Sequence, residues 1–593
     1  MLSHRMLYTT MALIFVAVCA SQVLAQAPVN PGIFQQYPGQ LSSTTRFWAS
    51  DAGKNYLLHS PSPAAFPMLQ KLHPEAASQY PQEPMLPPAR GNSPHQPAPA
   101  QDVSVHPNLT VTGCGTSSGT VMNLEPTANA TTQNQPSIDF LLSELGSGMD
   151  LVVETANDER GFDSFDGIYV HRDPTQPCYG GTDFEMGNPP IADPFYSGTF
   201  LFGEGNARVL ADPNPAHKQF IFADLRIDNT TEGVGLRRTP ASSFENTTTC
   251  PQGTLMEPQE MTCAGSTAVI VDASLDNEAD AVSIAQDPRS SGTGAGDIYV
   301  VHTSIRVLRS VIVVSACKAT FSTSADCSTA VIVSGSQTRP QFSSVAVVGG
   351  GPNAGDIVVT WVDVEEESVN YAYCTPGGAP NPPSCHGPSV IYTDPNGYSV
   401  ITDNPSLTLV PWPVVAARTD ASGQTVFVTF SDCKVSPFLP PLTGCVDADV
   451  QMLYATNLTS PTWTLVHVNT NGGHQIIPAI AYDTGQNIVT IGYYDTGTSQ
   501  YKNATVMGEQ QIPSGTTLIG GELHMTSAPD ALEGNGAESF PFGPGDYFGI
   551  AAHGGSAPGS SRLYFGFTNN ARIGRYDTIA NTQADNNVSR ATY

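Results

Sequence analysis

"SSVAVVGGGPNAGDIVVTWVD", residues 343–363, sets an apolar run, a turn rich in Gly, Asn and Pro, and a second apolar run that ends on one acid. Val, Ile, Thr and Trp favour a pleated, covered surface, and the Gly-rich centre favours a tight reversal, so the stretch reads as a β-hairpin. No helical spacing of apolar positions competes with that reading. The phrase recurs at 138–158 (IDFLLSELGSGMDLVVETAND), 207–225 (ARVLADPNPAHKQFIFADL), 282–304 (VSIAQDPRSSGTGAGDIYVVHTS), 413–432 (PVVAARTDASGQTVFVTFSD), 478–495 (PAIAYDTGQNIVTIGYYD) and 548–569 (FGIAAHGGSAPGSSRLYFGFTN). The second strands close near 158, 224, 304, 363, 432, 495 and 569.

Two more strand candidates follow most copies, such as RSVIVVSACK then STAVIVS, or VNYAYC then PSVIYT. Four strands per unit, repeated around an axis, is the pattern of a β-propeller, which wraps its sheets into a ring and leaves few long exposed edges. The expectation is an all-β chain with seven four-stranded blades, six being the alternative, over residues 106–580, with 581–593 as a C-terminal tail. The seventh copy lacks a second pair of strands, and a strand within 109–122 is expected to complete it.

Before the repeats, residues 1–25 hold a weakly basic start and the apolar run MALIFVAVCASQVLA, a secretory signal ending near Ala25 or Ala27. Residues 26–105 are rich in Pro and lack strand alternation, so they are expected to form a disordered leader. Export implies a secreted, periplasmic or cell-surface location and an oxidising compartment. No later segment reads as a membrane span. The formal charge of −29, from 53 acidic and 24 basic residues, excludes nucleic acid and anionic membrane surfaces as partners.

Of 11 cysteines, Cys19 falls in the signal, which leaves an even set. Cys250/Cys263, Cys317/Cys327 and Cys374/Cys385 each fall between the third and fourth strands of a unit. Cys433/Cys445 bracket the loop after a second strand, and Cys114/Cys178 remain to tie the N-terminal strand to the first unit. Closing loops this short is worth about 3 kcal/mol each. Zinc would need CxxC spacing or nearby histidines, and the sequence has neither.

"PAIAYDTGQNIVTIGYYD", the downstream "GPGDYFGIAAHGG" with "RLYFGFTN", and the opening "QPSIDFL…LVVETANDER" resemble secreted bacterial sialidase-like (BNR/Asp-box) propellers over about residues 135–575. The resemblance implies three arginines clamping a substrate carboxylate, an Asp acid, and a Tyr nucleophile assisted by Glu. The departures are specific. No intact S-x-D-x-G-x-T-W box is present: SPTWTLVHV (460–468) keeps only its Thr-Trp end, and the disulfide loops occupy the connection where relatives carry the box. No FRIP-like motif precedes the first unit.

No clamp can be assembled by residue-by-residue transfer. The catalytic candidates are Arg160 and Arg226, which follow second strands, and Asp546 and Tyr547 of GPGDYFG, which read either as channel-mouth groups or as a blade-opening turn with a packed Tyr. The acidic loop NDERGFDSFDG (157–167) makes Asp158, Asp163 and Asp166 candidate Ca²⁺ ligands, although its spacing is not that of an EF-hand and a solvated acidic loop explains it as well. Asp158, Asp224, Ser304, Asp363, Asp432, Asp495 and Asn569 end the second strands. They read either as a polar rim or as turn capping, and Ser and Asn standing in for Asp favours capping. The resulting expectation is a binding or surface-interaction module without sialidase activity and without a required cofactor, its partner a glycan or a cell-surface protein. The alternatives are a sialidase-type glycan-active enzyme and a structural envelope protein.

Overall fold

The computed structural model describes residues 110–111, 122–123, 133–144, 150–158, 166–171, 184–186, 208–227, 232–245, 263–274, 278–306, 309–337, 339–364, 366, 368–393, 399–401, 404–409, 412–419, 423–433, 448–468, 474–495, 506–513, 549–554, 561–569 and 585–592. The expected signal and leader, Cys114, Glu159, Arg160, Asp163, Cys178, Cys250, Cys445, Asp546 and Tyr547 lie outside them. Asp158, Asp166, Arg226, Cys433 and Asn569 are placed by backbone alone.

Seven antiparallel sheets follow one another along the chain. Sheet one holds Gln133–Leu141, Leu151–Asp158, Asp166–His171 and Phe184–Met186. Sheet two holds Arg208–Asp212, Gln219–Ile227, Glu232–Pro240 and Thr267–Ser274. Sheet three holds Glu278–Gln286, Ile298–Ile305, Ser310–Cys317 and Val331–Ile332. Sheet four holds Pro340–Val347, Ile357–Asp363, Ser368–Thr375 and Ser384–Thr393. Sheet five holds Val414–Ala417, Val426–Cys433, Ala448–Ala455 and Thr464–His467. Sheet six holds Gln475–Asp483, Ile488–Asp495 and Val506–Pro513. Sheet seven holds Gly549–His553, Arg562–Asn569 and Asp585–Thr592.

The first strand of each sheet lies against the first strand of the next, and Gly549–His553 lies against Gln133–Leu141, so the seven inner strands close a ring. This is a β-propeller, as the repeats imply. Middle strands are covered on both faces by neighbouring sheets, which is why they read as unbroken apolar runs: Ile298–Ile305, Ser310–Cys317 and Ile357–Asp363 are buried throughout. Apolar clusters fill each gap from sheets one and two to sheets five and six. Outer strands such as Thr464–His467 are largely exposed.

One expectation needs correction, and one feature was not foreseen. Asp585–Thr592, read as part of a tail, is the third strand of sheet seven and pairs along Arg562–Asn569. Its sequence, DNNVSRAT, hides a strand because one Val is its only large apolar residue. Thr110–Val111 and Met122–Asn123 both add to its outer edge, so N-terminal chain does complete this sheet. A hairpin of Ser399–Ile401 and Asn404–Leu409, outside the seven sheets, is the second feature the repeat pattern missed.

The structure closes Cys317–Cys327 and Cys374–Cys385, and Cys263 is also disulfide-bonded. Cys374 and Cys385 face each other across the third and fourth strands. These connections do more than close hairpins, because those of sheets two to five each reach back onto the preceding sheet. Phe244, from the helix Ala241–Phe244, packs with Leu141, Leu151 and Val153 of sheet one. Gln219 Nε2 donates to Ala319 O at 2.9 Å and Arg238 Nε to Phe321 O at 2.7 Å, tying the Cys317–Cys327 loop to sheet two. Ala379 N donates to Asp297 Oδ2 at 2.7 Å, and Tyr371 OH donates to Leu458 O at 2.6 Å. Burial pushes the Asp297 carboxyl above the usual carboxylate range, against the pull of the Ala379 N–H.

Candidate functional site in the central channel

Each inner strand is the edge of its sheet, so its free backbone groups face the next sheet and need partners. One register supplies them. Ser137, Ser283 and Ser344 stand at equivalent positions, and their hydroxyls accept the N–H of Val209, Val345 and Val415 in the following inner strand, at 3.3, 3.2 and 3.1 Å. Arg208 holds that register in sheet two and donates from Nε to Val282 O at 3.1 Å. Equivalent positions bonding to one another means that the inner strands run the same way around the axis.

They enclose a central channel with a volume of about 340 Å³, lined from all seven sheets. Near the strand starts, bulges at Asp280/Ser283, Gln341/Ser344 and Ile476/Ala479 turn residues toward the axis, with Ala281, Phe342 and Ile477 at positive φ. There Phe342 packs on Trp412, ring centroids 4.1 Å apart. Arg208 and Ser431 also face the channel. Ser431 reaches it because the inner strand of sheet five starts late, at Val414 opposite Thr429.

Four to six residues farther along the strands, roughly 13 to 20 Å at 3.3 Å per residue, stand Asp139, Tyr482 and His553. His553 Nε2 lies 2.6 Å from Asp139 Oδ1. Asp139 is 6% exposed. Its Oδ1 also accepts Phe140 N at 2.8 Å, and its Oδ2 accepts Ala211 N at 2.7 Å. The His553 side chain is 42% exposed, on the channel side. Burial disfavours the charged ring, but the Asp139 charge and hydrogen bond, with Asp483 and Asp150 behind them, hold its pKa above the ordinary value.

Among the described side chains, Asp224, Ser304, Asp363, Asp432 and Asp495, which end second strands, are not part of this lining. Asp224, Ser304, Asp363 and Asp495 are buried between sheets. Asp363 Oδ1 accepts Glu366 N at 3.2 Å, a turn cap; Asp495 Oδ1 accepts Gln475 Nε2 at 2.9 Å; Asp432 Oδ2 accepts Tyr392 OH of sheet four at 2.5 Å. They hold turns and neighbouring strands together. Of the four catalytic candidates, Arg226 sits on the second strand of sheet two, while Arg160, Asp546 and Tyr547 fall outside the described residues. Among the described residues no group of three or more His, Cys, Asp or Glu is placed to hold a metal ion, and no helix is long and apolar enough to cross a membrane.

Sequence reasoning missed Asp139, Arg208, Phe342, Trp412 and His553. The signal was in the repeats. Laid over one another, they place Asp139 where the other six units carry Leu210, Ala285, Ala346, Ala416, Ala481 and Ala551. A lone acid in a column of small apolar residues marks a position with a separate task.

No protein-family model matches the chain, and no curated protein matches it. Solved structures do. The polysaccharide lyase Uly1 is 9% identical, with 79% of this chain and 90% of that one covered and a TM-score of 0.36. The α-L-arabinofuranosidase Arb93A of Fusarium graminearum is 9% identical, covering 65% and 94%, TM-score 0.35. The six-bladed fucose-recognising lectin of Aleuria aurantia is 10% identical, covering 67% and 97%, TM-score 0.32. Superpositions this loose transfer no site and no ligand to the present chain.

Proposed function

We propose that this protein is an exported, sialidase-like propeller that works as a binding module and takes a small polar ligand, foremost a glycan unit, into its central channel. The carrying observation is the wall at the strand starts. It combines the Phe342–Trp412 pair with the Arg208 cation and the Ser431 hydroxyl in a cavity of about 340 Å³. An apolar wall with a few placed polar groups is what a pocket for a small ligand requires. The disulfides suit the oxidising compartment that export implies.

Absence of sialidase activity belongs to the same reading. Arg208 is the only arginine among the described residues lining the channel, where a carboxylate clamp would need three to converge. The second reading, a glycan-active enzyme, would draw on the Asp139–His553 pair. Asp139 already accepts three hydrogen bonds, which makes it an orienting group and a poor free base.

The test is saturation-transfer NMR of the full chain against a panel of neutral and acidic oligosaccharides, with Arg208→Gln and Trp412→Phe beside the wild type and a fluorogenic sialoside assay in parallel. Binding by the wild type that weakens at least fivefold in either variant, without sialoside turnover, supports the proposal. Binding untouched by both variants, no binding across the panel, or robust turnover overturns it.

A further inference from the structure

The ring has one seam where the last sheet meets the first, and its contacts are unlike those at equivalent positions elsewhere. The Asp139 register is apolar in the other six sheets. Here two carboxylates of sheet one gather three groups from sheet seven. Asp139 holds His553 at 2.6 Å; Asp150 holds Arg562 Nε at 2.9 Å and accepts Tyr564 OH at 2.8 Å. Phe140 lies between, its ring 4.7 Å from His553 and 4.6 Å from Tyr564. Both carboxylates are also fixed by backbone: Phe140 N and Ala211 N on Asp139, Ser143 N on Asp150. Asp139 therefore ties sheets seven, one and two together at the channel wall.

The N-terminal chain that leads on into sheet one also joins the outer edge of sheet seven, where Thr110–Val111 and Met122–Asn123 pair with Asp585–Thr592, so chain connectivity links the two sheets a second time. An inner gap can thus widen without the ring coming apart.

We propose that the His553–Asp139 contact is a proton-controlled clasp: it holds sheets seven and one together at the channel wall while His553 is charged, and the seam loosens when that proton leaves. His553 faces Asp139 and Asp150 of sheet one, Asp483 of sheet six, and Arg562 across its own sheet. Arg562 is engaged by Asp150, so the net field on the imidazole is acidic and favours its charged form. A group whose folded pKa is raised contributes stability that is complete below its unfolded value, about 6.5, and that is lost as pH rises through the folded value. The clasp is therefore tight in mild acid and weakens toward the alkaline side. The remaining contacts, Arg562 and Tyr564 on Asp150, stay in place and limit the opening to the channel side.

The experiment is hydrogen exchange of the full chain from pH 6 to 9, corrected for intrinsic rates. It compares peptides over 137–141 and 549–553 with 345–348 and 357–363 of sheet four. In the wild type, seam protection should fall at least tenfold relative to sheet four across this range. His553→Gln keeps a hydrogen-bond donor without the charge, and its seam should be weakly protected at every pH. An NMR titration of the His553 ring, which needs no variant, should give a midpoint above about 6.5 that matches the fall in protection. Seam protection that tracks sheet four throughout, a fall that persists unchanged in His553→Gln, or a ring midpoint away from the fall overturns the clasp.

Discussion

Gly355 and Gly296 both sit at positive φ, +90° and +78°, yet a methyl group would meet different surroundings at each. At Gly355 a Cβ would fall 1.9 Å from Arg289 Nη2. That guanidinium is held by Asp287 through three hydrogen bonds of 2.6 to 3.1 Å and donates to Thr293 O and to Ala354 O of the next sheet. At Gly296 a Cβ meets nothing within 4 Å. Gly296→Ala should therefore cost only its backbone strain, about 1 kcal/mol. Gly355→Ala should cost about 3 kcal/mol, because it also displaces a charged hydrogen-bond hub. Urea unfolding of the two variants checks the order, and equal losses would remove Arg289 as the cause. Residues of this kind were hard to read from sequence. The Gly-rich turns announce tight reversals, but the partner that makes one glycine irreplaceable stands 66 positions away in chain order for Gly355 and Arg289. Asp139 and His553 escaped for a related reason, since periodicity compares neighbours along the chain, whereas their pairing is visible only in columns across repeats.

Strands were legible where both faces are covered, because continuous Val, Ile and Thr runs such as 357–362 leave no other reading. Strands with few apolar residues, such as Asp585–Thr592, carry no such signature. The disulfide loops were legible in position and only half legible in purpose. The Cys317–Cys327 loop closes a hairpin, but it also seats fully buried Phe321 against sheet two, with Arg238 bonded to its carbonyl and lying 5.8 Å from the ring centroid. Two losses can thus be separated. Replacing both cysteines by Ala should cost about 3 kcal/mol, mostly through the freed unfolded chain. Phe321→Ala in the oxidised protein should cost 3 kcal/mol or more, about the usual loss for a buried aromatic, and should raise exchange in 219–227 of sheet two. If Phe321→Ala left sheet two as protected as the wild type, the loop would be a local staple only.

At the scale of the whole molecule, the repeats and the charge carried the most information. Seven hairpin phrases specified a ring, and a formal charge of −29 argues against polyanionic partners. The way the ring shuts was readable on one side only: an N-terminal strand was expected to complete sheet seven, but the polar C-terminal strand that it meets carries no apolar pattern. The geometry makes a definite demand on that last strand. Asp585–Thr592 pairs with Arg562–Asn569 on one side and with Thr110–Val111 and Met122–Asn123 on the other. It is the only described strand through which the N-terminal pieces join sheet seven. Ending the chain after Ala584 removes both sets of pairs and exposes the second strand of sheet seven as a long edge. The inner contacts of the first two strands of sheet seven with sheet one, those of His553, Arg562 and Tyr564 among them, would then hold the seam without the outer pairing. The truncated chain should melt at least 5 °C lower than the full chain, lose seam protection ahead of sheets three and four, and become prone to association through the new edge. Calorimetry, hydrogen exchange and sedimentation read the three effects separately. A truncated chain with unchanged melting and seam protection would show that the inner contacts close the ring unaided.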